Sequence, residues 1–271
     1  MTDSKTYPNG RVRRENHGPV ALLVLTNPPA NGYSYEMMRD LDEAILELRF
    51  EPGIQVIVLA GEGEKFFCAG ADIAMLGNVT PEFKYAFCLH ANETLLRLEH
   101  TPKLVIAALG GHCVGGGLEI ALACDLRVAR RGWGKTGLPE VALGVLPGTG
   151  GTQRLARVLG RARSIEMMAT GELIDYDRAE ELGIVTKQLD GVNDAAFLAA
   201  VLEYARSFTT PEKASLSVGY IKRAVQSGLE MPLEQGLALE RELQAQLFVS
   251  QDAQEGIAAF VEKRKPDFQG R

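Results

Sequence analysis

Two patterns of apolar and polar residues take turns along the first 160 residues: short continuous apolar runs, and longer segments with apolar residues at helical spacing. The short apolar runs PVALLVLTN, IQVIVLAGEG and LVIAALGG each end at glycine, proline or asparagine. They predict buried strands. The segments SYEMMRDLDEAILELRFEPG and PEFKYAFCLHANETLLRLEHTPK carry apolar residues at helical spacing, and Ser34 is a suitable N-cap for the first. This alternation predicts an α/β chain with right-handed crossovers.

Beyond about residue 160 the pattern changes, and it predicts helices in the segments ARSIEMMATG, DYDRAEELG, DAAFLAAVLEYARSF, ASLSVGYIKRAVQSG and PLEQGLALERELQAQLFVS. The final helix is predicted to start at Asp252, with Glu255 at the capping-box position, and to run to about Lys263. We therefore divide the chain into a β-rich core, residues 1–200, and a helical C-terminal region, residues 201–271. The helical region needs a surface to cover, and a partner subunit is a natural candidate.

Composition narrows the class of protein. The chain has 271 residues, of which 46% are hydrophobic and 24% charged, an ordinary globular balance. Its net charge of −6 argues against general binding to nucleic acid or to an anionic membrane. The four cysteines lack CxxC spacing, which favours free thiols over disulfides or metal ligands. With no signal-peptide pattern and no membrane-length apolar run, a cytoplasmic location is expected.

Three segments carry candidate chemistry, and the first is KFFCAGADI, which begins at Lys65. Its small residues after a strand-like run allow a ligand to approach backbone N–H groups closely. The alternative is a plain turn in which Asp72 caps a helix.

The second segment is GHCVGGGLEIALACD, in which Gly115 to Gly117 precede an apolar helix. N–H groups at a helix start are unsatisfied and can donate to an anion or a polarised carbonyl. Two such amides from separate loops make an oxyanion hole. Close packing that only glycine fits is the alternative. Glu119 is a carboxylate in an otherwise apolar first turn, a costly position unless the group has a role.

The third segment, GLPEVALGVLPGTGGTQRL, places a second carboxylate, Glu140, in apolar surroundings. Its glycines do not match the Walker phosphate-binding pattern, because Gly151 is followed by threonine and glutamine. Glu119 and Glu140 together suggest paired carboxylates for acid–base catalysis.

These segments, in this order and at this spacing, resemble the crotonase superfamily, also called the enoyl-CoA hydratase/isomerase family. The C-terminal GIAAFVEKRKPDF is similar to the end of that family. The resemblance implies an α/β fold with a spiral core of ββα turns and a helical C-terminal trimerisation region. Homotrimers or homohexamers are the implied assemblies.

The resemblance also implies a role for individual residues. The N–H groups of Ala71 and Gly116 would form the oxyanion hole for an acyl-CoA thioester carbonyl, Glu119 and Glu140 would be the catalytic carboxylates, and Gly148 would help to hold the water. The residues implied for substrate and CoA binding are Lys65, Ala69, Gly70, Asp72, Ile73, Leu138, Pro139, Phe260 and Lys263. No metal and no separate cofactor is implied, since coenzyme A belongs to the substrate.

Hydration of a 2-enoyl-CoA to a 3-hydroxyacyl-CoA by syn addition is the function that the two carboxylates favour. We expect Glu119 to deprotonate the water and Glu140 to protonate Cα. The implied setting is lipid metabolism by fatty-acid β-oxidation, although the sequence does not separate this from amino-acid or aromatic degradation. The alternatives are double-bond isomerisation, another acyl-CoA lyase or hydrolase reaction, and a non-catalytic binding protein on the same fold.

The chain departs from the family pattern just before Glu140. Thr136 stands where family members commonly have an aromatic residue, and one extra residue lies near Trp133. A surface-loop insertion is the simpler interpretation, and a reshaped acyl pocket is the sharper one. His112 is a candidate for a substrate contact or for a structural hydrogen bond.

Overall fold

The computed structural model describes residues 4–271, which form short strands and eleven α-helices. The strands are β1 Ser4–Thr6, β2 Val12–His17, β3 Val20–Leu25, β4 Val56–Gly61, β5 Phe66–Cys68, β6 Leu104–Leu109, β7 His112–Val114, β8 Leu126–Arg130, β9 Lys135–Gly137, β10 Ile174–Asp175 and β11 Lys187–Leu189. The helices are α1 Tyr35–Phe50, α2 Ile73–Leu76, α3 Pro81–Glu99, α4 Gly116–Leu122, α5 Gly151–Leu159, α6 Arg161–Thr170, α7 Tyr176–Glu181, α8 Asp194–Arg206, α9 Ser215–Gly228, α10 Leu233–Phe248 and α11 Gln251–Glu262. A 3-10 helix spans Glu140–Leu143.

The strands form two sheets. The larger has the order β1-β2-β3-β4-β6-β8-β11, and the smaller has the order β10-β9-β7-β5. Strands β3, β4, β6, β8 and β11 run parallel in the large sheet, and β5, β7 and β9 run parallel in the small one. Parallel neighbours require crossover connections, as the alternation of strands and helices predicted.

A strand–strand–helix unit repeats along the core. In each unit the first strand enters the large sheet and the second enters the small sheet, as in β4-β5, β6-β7 and β8-β9. This arrangement confirms the predicted spiral of ββα turns. Strands β5 and β7 follow the strand-like runs that the sequence indicates before Ala69 and Gly115, whereas β9 was not predicted, since three residues show no clear period of two.

In each of the three candidate segments, the residues with candidate chemistry come directly after a strand of the small sheet. Ala69 comes directly after β5, Gly115 directly after β7 and Leu138 directly after β9. Because these strands are parallel, their carboxyl ends meet at one edge of the sheet. The fold thus brings together segments that lie far apart in the sequence.

Two apolar layers enclose the large sheet. One face packs with α1, α3 and α4 around residues such as Leu41, Leu95 and Ile120. The other face carries Val20, Val58 and Ile106 and packs against α8. Strands with both faces covered read as continuous apolar runs, which explains the sequence pattern.

The helix start predicted at Ser34 is confirmed, since its side chain accepts a hydrogen bond from the Met37 N–H. The start predicted at Asp252 is wrong, because Ser250 caps α11 by accepting from the Ala253 N–H. The Asp252 carboxylate instead accepts from the N–H groups of Gln269 and Gly270 in the C-terminal tail. A carboxylate near a helix start can cap its own helix or bind another part of the chain. Here the C-terminal tail packs close enough for Asp252 to bind it.

The region after residue 160 is mostly helical, with α6 to α10 in the segments predicted to be helices, and it also contains the short strands β10 and β11, which the sequence pattern did not indicate. The division at residues 200 and 201 falls within α8, which packs on the large sheet, and it stays a prediction. None of the helices in the described part of the chain is long and apolar enough to cross a membrane.

Candidate active site

Two glycine-containing loops approach each other at the edge of the small sheet. Gly70 has a φ of +98°, and a Cβ atom built on it would lie 3.3 Å from the backbone nitrogen of Gly116. The loop after β5 and the start of α4 are therefore in van der Waals contact. A side chain at Gly70 would be strained by its backbone and would crowd this contact.

The N–H groups of Ala71 and Gly116 lie on either side of this contact. Neither donates a hydrogen bond to another group within residues 4–271, although the neighbouring N–H groups of Asp72 and Gly115 do, to Tyr33 and Gly137. Gly116 is the first residue of α4, where N–H groups are free and the helix dipole is positive. Two free donors on adjoining loops suit an oxygen that gains negative charge.

Glu119 lies one turn into α4 and is 1% exposed. Its Oε1 atom accepts hydrogen bonds from the N–H groups of Thr149 and Gly151, both at 2.7 Å. Burial raises the pKa of Glu119 above its ordinary value, and the two amides oppose that rise. The second oxygen, Oε2, accepts no hydrogen bond from the described residues, so it can accept one from a water.

Glu140 begins the 3-10 helix after β9, and its carboxylate lies beside the backbone of Gly115. A Cβ atom built on Gly115 would lie 2.8 Å from Glu140 Oε1. The other oxygen, Oε2, is buried and has no hydrogen-bond partner among the described residues. Burial, with the nearby charge of Glu119, raises the pKa of Glu140 to about 7. The two carboxylates thus sit in different environments.

Thr149, which is fully buried, is tied to three other residues. Its N–H donates to Glu119, and its hydroxyl lies 2.8 Å from the Tyr33 hydroxyl. Its carbonyl accepts from Arg154 Nη1 at 3.1 Å, and the same guanidinium forms a two-point ion pair with Glu99 at 2.7 Å. These contacts fix the position of the loop whose N–H groups donate to Glu119.

The residues predicted to bind CoA near β5 lie mostly at the surface. Lys65, Ala69 and Ile73 are exposed, whereas Gly70 is buried at the loop contact. The Asp72 carboxylate accepts from the Met75 N–H and caps α2. The helix cap and the free Ala71 N–H occur together, so the two interpretations of this segment are compatible.

The other predicted binding residues are spread between the core and the C-terminal helix. Leu138 is fully buried beside Gly151, and Pro139 is half-buried. Phe260 and Lys263 are exposed at the end of α11. Gly148 is half-buried, its N–H donates to no described residue, and it lines a cavity of about 990 Å³. Their roles in binding stay predictions.

The unusual segment before Glu140 is a turn between β8 and β9. Trp133 donates from Nε1 to the Glu64 carbonyl at 2.9 Å, and the Arg130 guanidinium lies 5.1 Å from its ring. His112 accepts from the Lys135 N–H at 3.1 Å. These contacts favour a surface loop for Trp133 and a structural hydrogen bond for His112 over substrate contacts.

The sequence did not indicate Tyr33, Thr149 or Arg154 as site residues, because their contacts with each other and with Glu119 form only in the folded chain.

Comparison with known proteins places this chain in a family. The enoyl-CoA hydratase/isomerase family model matches residues 15–271, and the chain belongs to that family. The chain is 40% identical to the (E)-benzylidenesuccinyl-CoA hydratase of Thauera aromatica, over 94% of this chain and 96% of that protein. It is 34% identical to the short-chain-enoyl-CoA hydratase of Clostridium acetobutylicum, over 93% and 94%.

A solved enoyl-CoA hydratase from Geobacillus kaustophilus shares the fold throughout. It has a TM-score of 0.93 and 43% sequence identity, with 100% of both chains covered. The resemblance of the sequence to the crotonase superfamily and the predicted fold class are confirmed.

Proposed function

We propose that this protein is an enoyl-CoA hydratase, a hydro-lyase that adds water syn across the double bond of a 2-enoyl-CoA to give a 3-hydroxyacyl-CoA. The observation that carries the proposal is the pair Glu119 and Glu140 in contrasting environments. Relatives that are named as hydratases of enoyl-CoA substrates support it.

The thioester carbonyl is proposed to bind between the N–H groups of Ala71 and Gly116. Addition of water at Cβ sends negative charge onto the thioester oxygen. A single donor of this kind contributes about 3 kcal/mol to the transition state when it is preorganised. Both amides belong to backbone segments that neighbouring hydrogen bonds fix, so they need little reorganisation during the reaction.

The two carboxyl groups divide the proton transfers. Two amide donors to Oε1 favour ionised Glu119, so Oε2 can take a proton from the water while the hydroxide oxygen bonds to Cβ. Glu140, with an unpartnered oxygen and a pKa of about 7, is suited to give its proton to Cα. A proton transferred from Glu119 to Glu140 through solvent closes the cycle.

The substrate is an acyl-CoA thioester whose coenzyme A portion serves as a handle and supplies remote binding energy. We assign CoA contacts to Lys65, Ala69, Asp72 and Ile73 on the β5 side. Phe260 and Lys263 are assigned the same role on α11. The exposed side chains of Lys65 and Phe260 are free to meet such a ligand.

A homotrimer or homohexamer is proposed as the assembly. Large apolar side chains in the helical C-terminal region support it, since Leu229 is 80%, Leu233 77% and Phe260 86% exposed in the single chain. The mass in solution, measured by light scattering, tests this proposal against a monomer.

A cytoplasmic role in fatty-acid β-oxidation is the proposed setting, and free cysteines are consistent with a reducing compartment.

The decisive experiment is hydration of crotonyl-CoA, followed by the loss of its conjugated thioester absorbance. We expect rapid loss with the native protein and a fall in kcat of about 100-fold or more for Glu119→Gln and for Glu140→Gln. If the native protein binds crotonyl-CoA and leaves the absorbance unchanged, the hydratase proposal is wrong. A 3-enoyl-CoA then tests isomerisation, which needs only one acid–base carboxylate.

A further inference from the structure

Tyr33 contacts all three parts of the site, although it lies in none of the three segments. Its backbone pairs with the loop after β5, since its N–H donates to the Gly70 carbonyl at 2.9 Å and its carbonyl accepts from the Asp72 N–H at 3.0 Å. These two bonds flank Ala71, so they fix the direction of its N–H group.

The Tyr33 ring supports the second oxyanion donor. A Cβ atom built on Gly116 would overlap the edge of this ring, which means that the ring packs directly on the Gly116 backbone. The ring also lies 5.6 Å from the ring of Phe87, and the side chain is 3% exposed. Its position is therefore set by packing on two sides.

The Tyr33 hydroxyl contacts the loop whose N–H groups donate to Glu119. It lies 2.8 Å from the Thr149 hydroxyl, and the Thr149 N–H donates to Glu119. Both hydroxyls are buried, so breaking their hydrogen bond leaves an unsatisfied polar group. Burial beside Glu119 raises the pKa of Tyr33, which keeps the phenol neutral and able to donate.

We propose that Tyr33 is a positioning residue, which holds the Ala71 and Gly116 N–H groups at a fixed distance from the Thr149–Gly151 segment that binds Glu119, through its hydrogen bond to Thr149. This inference rests on the proposed function. Its defining property is that removal of one hydroxyl alters catalysis while the ring, and hence the fold, is retained.

The test compares Tyr33→Phe with the native protein in crotonyl-CoA hydration. We expect kcat to fall about fivefold, the effect of one neutral hydrogen bond, with KM nearly unchanged. Without the hydrogen bond between the two hydroxyls, the Thr149 N–H is held less firmly against Glu119 Oε1, so it stabilises the charged carboxylate less. The acid limb of the pH profile should therefore move up by about half a unit. Global destabilisation would lower the rate at every pH without moving the limb.

Other charged or titratable groups near Glu119 must stay unchanged for this comparison. They are Lys84 on α3, Cys68 on β5, Glu140 on the 3-10 helix and Arg154 on α5. Tyr33→Phe alters none of them. Tyr35→Phe is the matched control, because it removes a phenol hydroxyl that makes no hydrogen bond within residues 4–271. We expect it to leave the rate and the acid limb at native values.

Thr149→Val removes the partner hydroxyl and should reproduce the effect of Tyr33→Phe. Thr149→Ser keeps a hydroxyl at this position and should retain most of the native rate. The double variant Tyr33→Phe with Thr149→Val should be no slower than either single variant, because both remove the same hydrogen bond. Additive losses, or an unmoved acid limb in Tyr33→Phe, would overturn the proposal.

Hydrogen exchange tests the positioning role without any substrate. The backbone amides of residues 149–151 should exchange faster in Tyr33→Phe than in the native protein or Tyr35→Phe. Unchanged exchange at these amides would refute the proposal even if the native protein hydrates crotonyl-CoA. Faster exchange in a protein that fails to hydrate crotonyl-CoA would refute the hydratase proposal alone.

Discussion

The carboxylate of Glu140 lies directly against the backbone of Gly115, so that a methyl group at residue 115 would come within 2.8 Å of Oε1. Gly115 also has a φ of +56°, a conformation that side-chain-bearing residues adopt at a cost. This one glycine therefore meets two requirements, a positive-φ backbone before α4 and room for the Glu140 carboxylate.

Gly115→Ala should lose activity beyond its loss of stability. We expect about 1–2 kcal/mol of destabilisation from backbone strain, and a further fall in kcat because Glu140 is displaced. Kinetics and thermal unfolding measure the two effects. Gly132→Ala is the matched control, since Gly132 has a φ of +68° and open space around its Cα. It should lose stability while retaining its rate, and equal kcat losses in both variants would contradict this account.

Glu140 should make the folded protein less stable as the pH rises. Its folded pKa of about 7 lies above the ordinary value of 4.5, so between these values the folded state binds more protons than the unfolded state. Stability then falls with increasing pH across this window. Because the side chain is partly exposed, we expect a loss of only about 1–2 kcal/mol.

Glu140→Gln should consequently unfold at a higher temperature than the native protein at about pH 8, and at a similar temperature at about pH 4. The exposed Glu166→Gln substitution on α6 serves as the control and should show no such dependence on pH. An equal difference between Glu140→Gln and native protein at both pH values would show that burial of this carboxylate is not the cause.

The pH profile of hydration follows from the same carboxylates. The rate should fall at high pH as Glu140 loses its proton, and at low pH as Glu119 gains one. Removing the acid with Glu140→Gln should abolish the alkaline limb of the residual activity. A persistent alkaline limb in that variant would assign the proton donation to another group.

The sequence predicted the parts of this site that depend on local chemistry. Three glycines before Glu119, and a second glutamate in apolar surroundings, are visible because each violates a local preference. Tyr33 breaks no such rule, since an aromatic residue beside a helix cap is ordinary. Its partner Thr149 is 116 residues away along the chain, and only the packing of α4 between two loops brings them together.

The fold shows the same division. Long apolar runs predicted β3, β4 and β6, while β9 and β10 of the small sheet escaped prediction because neighbouring strands, and not their own residues, stabilise them. Trp133 likewise looked exceptional in sequence, but its contacts in the folded chain are those of a turn.

Trp133→Phe should therefore leave catalysis intact. The substitution removes the hydrogen bond to the Glu64 carbonyl and keeps an aromatic ring, so we expect at most about 1 kcal/mol of destabilisation. Kinetics with crotonyl-CoA and with a bulkier acyl-CoA measure the effect. A change in the ratio of the two kcat/KM values would restore the interpretation of Trp133 as part of the acyl pocket.

Helix α9 is joined to the core by a buried ion pair between Lys222 and Asp125. The ammonium and carboxylate lie 2.8 Å apart, with side-chain exposures of 3% and 10%. Lys222 also donates to the Lys103 carbonyl, and Asp125 accepts from the Val105 N–H. Such a pair contributes little net stability, but removing one partner leaves the other charged and buried.

Lys222→Met should therefore destabilise the protein by about 3 kcal/mol, measured by chemical denaturation. The deficit should be larger at about pH 8 than at about pH 4, because burial already raises the pKa of Asp125 and protonation removes its charge. The double variant Lys222→Met with Asp125→Asn should recover part of the loss, since no unpaired charge remains. If the double variant is destabilised by the sum of the two single losses, Lys222 stabilises α9 through packing of its chain and not through its charge.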